Sequence, residues 1–314
     1  MDDRPRKNEN AGRGRAKRGR KSPATEGAEL RSKGMIGRGA KDGQRRSKGA
    51  RQHGAVSAPR RPSHTKRSNK GAGPNPWIWG WHAVQAVLAN PRRTIHQIMV
   101  TDQAAERLGL SEGRAELKIV AMNYIDKALP RGAAHQGVAV KAAPLEWPDL
   151  SQLADDADED ALILVLDQIT DPHNVGAMLR LCSAFGVSAL VMQSRKAPPL
   201  AGATAKVAVG CLESVPICLE VNISQSIKTL QGFGYTVIGL AGETETTVAE
   251  ALTMGRGRYA LVMGAEGPGL RDLVAKSCDV LAKIPMRSHA VAGQAESLNV
   301  ATAAGIALYE ARRG

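Results

Sequence analysis

Apolar positions in the second half of the chain gather in short unbroken runs, and between those runs they recur at helical spacing. Leu162-Ile-Leu-Val-Leu166 and Tyr259-Ala-Leu-Val-Met263 are apolar throughout, as strands covered on both faces are. In order, the pattern predicts strand 161–166, helix 174–185, strand 187–192, a helix around 204–212, strand 215–219 and helix 223–232. It continues with strands 235–240 and 259–263, a short helix after Pro268, strand 279–284 and helix 298–312. Strands alternating with helices predict a mostly parallel sheet and an α/β fold class. Upstream, residues 96–100, 117–121 and 137–141 read as strands with helical stretches between them, a smaller α/β module over 77–143. It opens on Trp77, Trp79 and Trp81, which share a face if the segment is extended. Packing is the usual role of such rings and base stacking the alternative. Residues 144–160, with Pro148 and the acidic run Asp155-Asp-Ala-Asp-Glu-Asp160, read as a linker.

Charge changes the picture at the N-terminal end. Residues 1–76 hold 22 Lys and Arg against 6 Asp and Glu, a net of +16, whereas the remainder nets −3. Such a Gly/Ser/Pro-rich basic tail cannot bury enough apolar surface to fold, so it is expected to be disordered. Its uses are contact with RNA phosphates through counterion release or simple solubilisation. A transit peptide is disfavoured by Asp2, Asp3 and Glu9 and by the absence of an apolar stripe. No run reaches the length of a membrane span, which with the missing signal-peptide core points to a cytoplasmic protein. Cys182, Cys211, Cys218 and Cys278 show no metal-ligand spacing and read as small apolar residues in a reducing compartment.

Three clusters at strand ends carry candidate chemistry. After the first strand of the larger domain come Asp167 and Thr170-Asp-Pro-His173, with Asn174 placed to cap a helix. On that helix Val175, Met178, Leu179, Cys182 and Phe185 share one face, and Gly176, Ala177, Arg180, Ser183 and Ala184 the other. Arg180 follows Gly176 by one turn, so its guanidinium is expected to lie over the missing side chain and reach the cleft; a plain surface Arg is the alternative. The second cluster sets Gly264, Gly267 and Gly269 around Glu266 and Pro268, glycines that let main chain approach a ligand closely. Neither a P-loop nor a Rossmann spacing is present. The third joins Ile284-Pro-Met286 to Ser297-Leu-Asn299, where a bare helix cap is the competing role for Ser297 or Asn299. No carboxylate–His cluster suggests a metal.

The order Asn174-x-Gly176-x-x-x-Arg180, Gly264-x-Glu266-Gly267, then Ile284-Pro-Met286 with Ser297-Leu-Asn299 resembles the SpoU (TrmH) family of RNA ribose 2′-O-methyltransferases. Trp79-Gly-Trp-His-Ala-Val84, His135-Gln-Gly-Val138 and Ala208-Val-Gly-Cys-Leu-Glu-Ser-Val-Pro216 resemble its subgroup with an N-terminal substrate-binding module. The resemblance covers about residues 77 to 314. It implies an L30e-like RNA-binding module at 77–143, an acidic linker at 144–160, and a catalytic domain at 161–314 with a trefoil knot of the SPOUT type. It implies a homodimer joined through the knotted domain, and S-adenosylmethionine as methyl donor without a metal. Gly264, Ile284 and Leu298 fall at cofactor-contacting positions. Asn174, Arg180, Glu266, Ser297 and Asn299 fall at catalytic or substrate-positioning ones.

The implied reaction is in-line methyl transfer to a ribose 2′-hydroxyl, with a guanosine in 23S rRNA as the expected target. A tRNA target and a non-catalytic ribosome-assembly factor are the alternatives. Guanidinium stays protonated at ordinary pH, so Arg180 is expected to clamp phosphate and steady developing alkoxide, while Asn299 and Ser297 orient the hydroxyl. The stretch from Arg287 to Glu296, with His289, is longer than the family's shortest loops at this place.

Overall fold

The structure is a computed structural model that describes residues 75–111, 113–255, 257–286 and 297–313. The basic stretch before residue 75 and the 287–296 loop, both subjects of expectations above, lie outside the described residues. The described residues all fall in one compact unit. Its chain runs β1 (Trp77–Trp79), α1 (Trp81–Ala89), β2 (Ile95–Val100), α2 (Asp102–Leu108), β3 (Leu117–Ile119), α3 (Met122–Ala128) and β4 (Val138–Ala142). These strands form a sheet ordered β1-β4-β2-β3, antiparallel except for the β2–β3 pair.

After α4 (Leu150–Asp155) come β5 (Leu162–Leu166), α5 (Pro172–Ala184), β6 (Ala189–Gln193), α6 (Gly202–Ala208), β7 (Ile217–Glu220), α7 (Ile223–Gly232) and β8 (Thr236–Leu240). Then follow α8 (Val248–Thr253), β9 (Tyr259–Met263), α9 (Asp272–Ala275), β10 (Val280–Ala282) and α10 (Val300–Arg312). The six strands β5–β10 form a wholly parallel sheet in the order β10-β8-β9-β5-β6-β7.

Alternation along β5 explains its unbroken apolar run. Leu162, Leu164 and Leu166 enter one core with Met178 and Leu179 of α5, Ala205 of α6 and Leu308 of α10. Ile163 and Val165 enter a second core on the other face with Leu150 of α4, Ile227 of α7 and Val274 of α9. Truncating any of these fully buried branched side chains to Ala would cost about 2–5 kcal/mol.

The small sheet does not stand apart. Ile78, Ile98, Val100, Val138 and Val140 belong to the same buried cluster as β5 and α5, while Trp79, Met99 and Ile125 make a separate cluster on the sheet's far face. An ion pair closes the junction. Arg93 donates to Glu213 through Nε at 2.8 Å and Nη2 at 2.7 Å, and Asn90 Nδ2 donates to the same carboxylate at 2.7 Å. The two charged side chains are only 1% and 7% exposed, so neither charge can turn to water.

Several sequence expectations need correction. The acidic linker contains α4, whose Leu150 and Ala154 are buried, so apolar spacing within the stretch outweighs its charge. Trp81 starts α1 and does not share a face with Trp77 and Trp79; its ring lies under Arg107 at 4.1 Å. The helix expected around 204–212 stops at Ala208, because Val209 and Gly210 turn left-handed at φ 53° and 93°. A Cβ at Gly210 would strike Ala86 and the His82 carbonyl of α1. The helix expected at 174–185 starts earlier. Asp171 caps it, accepting from the His173 and Asn174 N–H groups at 3.1 and 3.4 Å, with Pro172 in the first turn.

Candidate active site

Two adjacent parallel strands deliver their C-terminal ends to one edge, where the segments after β5 and β9 meet the start of α10. That edge holds a closed triangle of side chains. Asn174 Nδ2 donates to Glu266 Oε1 at 3.0 Å, Asn299 Nδ2 donates to the same oxygen at 2.9 Å, and Asn299 Nδ2 also donates to Asn174 Oδ1 at 3.0 Å. Asn299 Oδ1 meanwhile accepts from the Ala301 and Thr302 N–H groups at 2.9 and 3.3 Å. Backbone donors therefore fix which end of the Asn299 amide carries its protons, and the acceptor-only carboxylate fixes Asn174. Capping and site building, posed as alternatives for Asn299, are both present. Glu266 is exposed, and its Oε2 takes no hydrogen bond among the described residues.

The glycine loop holds Glu266 in place. A Cβ at Gly264 would collide with the Gly269 and Leu270 backbone, so this glycine is required by the loop folding on itself. Ala265 and Gly269 exchange N–H···O bonds at 3.1 and 3.0 Å, and Gly267 and Gly269 sit at φ 85° and 70° over open space. Ile284 is partly buried against the core, and Met286 and Leu298 expose 47% and 36% of their surface beside the loop outside the described residues.

Not every expected residue joins this cluster. Arg180 is exposed on α5 and has no partner among the described residues. The expected route for its side chain is closed, because helix α6 covers Gly176: a Cβ there would lie 2.7 Å from Val207 Cβ and 2.8 Å from the Thr204 carbonyl. The glycine permits helix packing, so the space over it is not free for the Arg180 side chain. Ser297 is likewise exposed and makes no hydrogen bond among the described residues.

One group was not foreseen. Asp167, at the end of β5, is fully buried. It accepts from the Arg271 backbone N–H at 3.1 Å, Arg271 Nε at 2.9 Å and Gln193 Nε2 at 3.1 Å. This ion pair ties the far end of the glycine loop to the strand that launches Asn174. An Asp closing an all-apolar strand was the available signal, but its partner lies 104 residues away. Burial pushes the Cys218 and Cys278 thiols up to about 12 and Cys182 higher still, which disfavours the thiolate at these three positions. No metal-ligand cluster occurs among the described residues.

Residues 161–309 match the sequence profile of the SpoU rRNA Methylase family, and residues 77–148 match that of RNA 2′-O ribose methyltransferase substrate binding. The 23S rRNA (guanosine-2′-O-)-methyltransferase RlmB of Xylella fastidiosa is 38% identical over 247 residues, 76% of this chain and 96% of that protein. This chain belongs to the SpoU rRNA methylase family. The RlmB protein of Photobacterium profundum is 40% identical over 248 residues, covering 76% and 98% of the two chains. Among solved structures, the fold of this SpoU family member is similar to AviRb of Streptomyces viridochromogenes with its cofactor AdoMet, at TM-score 0.62, 21% identity and coverage of 76% and 90%. It is also similar to an AdoMet-bound rRNA methyltransferase of Sinorhizobium meliloti, at TM-score 0.63, 24% identity and coverage of 76% and 87%.

Proposed function

We propose that this chain methylates the ribose 2′-hydroxyl of a guanosine in 23S rRNA, with S-adenosylmethionine as donor. The observation that carries this is the Asn174–Glu266–Asn299 triangle: three separate sequence motifs converge on one strand-end site. The RlmB relatives support the rRNA target over tRNA.

The residues present fit the cofactor. Gly242, Gly267 and Gly269 front open space at the C-terminal strand edge, and Ile284, Met286 and Leu298 offer apolar surface for an adenosyl group. Gly264, Ile284 and Leu298 would hold it, through backbone at the glycine and apolar contact at the other two. Once bound, the donor supplies an already activated methyl group, so orientation of the acceptor accounts for much of the rate.

Orientation falls to the triangle. Two N–H groups pin Glu266 Oε1, which leaves Oε2 to accept a hydrogen bond from the 2′-hydroxyl and hold its proton during transfer. Ser297 lies two residues before Asn299 and would donate to the ribose. Arg180, exposed and unpaired, would grip a backbone phosphate with its fork of N–H groups.

Further parts of the reading rest on supporting features. The pairing of Lys283, just after β10, with Thr246, Thr247 and Val248 supports the trefoil-knot reading. Ile306 and Tyr309 of α10 expose 41% and 55% of their surface, which supports a homodimer through the catalytic domain. The four-stranded α/β module at 77–143 supports the L30e-like reading. No described helix is long and apolar enough to cross a membrane, and an rRNA target puts the protein in the cytoplasm. Calorimetry with S-adenosylmethionine, followed by mapping of 2′-O-methyl marks on rRNA and tRNA from a deletion strain, tests the whole. Absence of cofactor binding would leave the non-catalytic assembly factor, and a lost mark on tRNA alone would overturn the rRNA target.

A further inference from the structure

A cavity of about 340 Å³ opens between the two sheets' elements, beside the start of α5. Its walls include Trp77 and Trp79 of β1, Pro172 of α5, Pro199 and Ala203. Trp79 is held by contact with Gly202: a Cβ on that glycine would lie 2.8 Å from the Trp79 ring. Trp77 remains half-buried and Pro199 and Ala203 are exposed, so the aromatic wall is reachable from outside. Pro172 stands two residues before Asn174, about 3 Å along the helix axis. The cavity and the carboxamide triangle therefore flank the same helix end from different sides.

Charge identifies the kind of ligand. Residues 172–208, which run from α5 through β6 to α6, contain Arg180, Arg195, Lys196 and Lys206 and no Asp or Glu, with the α5 cap Asp171 directly before them. This cationic stretch sits in a folded region whose overall net is −3. The chain also reaches the cavity at Pro76, the last residue of the 1–76 stretch of net +16. A larger cavity, about 700 Å³, lies by the N-terminal ends of β6 and β7. Its walls carry Glu146, Asp156 and Asp158, the wrong sign for a polyanion. An aromatic and proline-walled hollow with no carboxylate in its lining, built from elements that carry Arg and Lys, suits the π-face of a base attached to phosphates.

We propose that the Trp77–Trp79–Pro172–Pro199 cavity receives one unstacked nucleobase of the substrate RNA strand, fixing the register in which a ribose meets Asn174 and Glu266. This rests on the RNA methyltransferase reading for its substrate, but its test is independent of turnover. Full-length protein is titrated at fixed salt with a labelled 12-nucleotide oligoadenylate and with a ribose–phosphate 12-mer lacking bases. Wild type is expected to bind the base-bearing strand about tenfold tighter. Trp77→Ala should abolish that preference, as should Ala203→Leu, which fills the hollow from an exposed helix position and removes no core contact. Trp147→Phe, in the acidic cavity, should keep it. Equal binding of both strands by wild type overturns the proposal, as does an undiminished preference in Ala203→Leu. Calorimetry with S-adenosylmethionine on the same samples separates the two readings: lost cofactor binding with intact base preference removes the methyltransferase and leaves the cavity.

Discussion

Asn299→Asp separates the two jobs of one side chain. Aspartate still offers an oxygen to the Ala301 and Thr302 N–H groups, so α10 keeps its cap. The other end changes from a donor to an acceptor, facing Asn174 Oδ1 at 3.0 Å and Glu266 Oε1 at 2.9 Å. A hydrogen bond to a charged group contributes about 1.5–3 kcal/mol and a neutral one about 0.5–1.5. Glu266 is exposed, so solvent screening reduces the charged share, leaving about 2 kcal/mol for both. Spent on orienting the transition state, that is about 30-fold in kcat. Asn299→Ala also loses the cap, about 1 kcal/mol, for a Tm fall of about 2–4 °C. Amide hydrogen exchange and transfer of a tritiated methyl group to 23S rRNA read the two effects. Both variants lose these two hydrogen bonds and should turn over slowly, but amide hydrogen exchange at Ala301 and Thr302 should stay protected in the Asp variant and speed up in the Ala variant. An Asp variant with wild-type kcat, or with Ala301 and Thr302 as unprotected as in the Ala variant, refutes the division.

Other expectations follow from the same structure. Glu213→Ala leaves the buried Arg93 guanidinium without its carboxylate and should cost about 3–5 kcal/mol, read as a lower urea midpoint; an unchanged midpoint would show the junction is not held by this pair. Hydrogen bonds from the Thr247 backbone and then its hydroxyl hold the Glu250 carboxyl below its ordinary value. A lowered folded-state value contributes stability above the unfolded value, about 4.3, and the contribution disappears as pH falls through the folded one. Glu250→Gln should therefore flatten the acid side of a plot of Tm against pH, and an identical acid limb would count against the capping box. Arg180→Lys keeps the charge but loses the fork; turnover should fall about tenfold or more, and near-normal turnover would sink the phosphate clamp. Deleting residues 1–74 should weaken RNA binding and lower the slope of log affinity against log salt, whereas unchanged affinity at low salt would mark the tail as a solubiliser.

The strands of the larger sheet were legible because each is buried on both faces, so β5 and β9 announce themselves by composition alone. Helix ends were less so. Asn174 has the right chemistry for a cap, but Asp171 lies next to a proline suited to the first turn and takes that place. α4 was hidden because its two buried residues sit among carboxylates. At the site, motif order located Asn174, Glu266 and Asn299 without showing that they touch, since 92 and 125 residues separate the bonded pairs. Helical projection misled for Arg180: a gap on a helix surface is open only if no second helix fills it, and α6 does. Asp167 shows in the sequence as a carboxylate closing an apolar strand, but its pairing with Arg271, 104 residues away, leaves no local signal.

The position of Asn299 ties the chemistry to the seating of one helix. Asn299 caps α10, so the triangle has all three corners only while α10 is docked against α5. Whatever loosens that helix pair opens the acceptor site without touching any of its side chains.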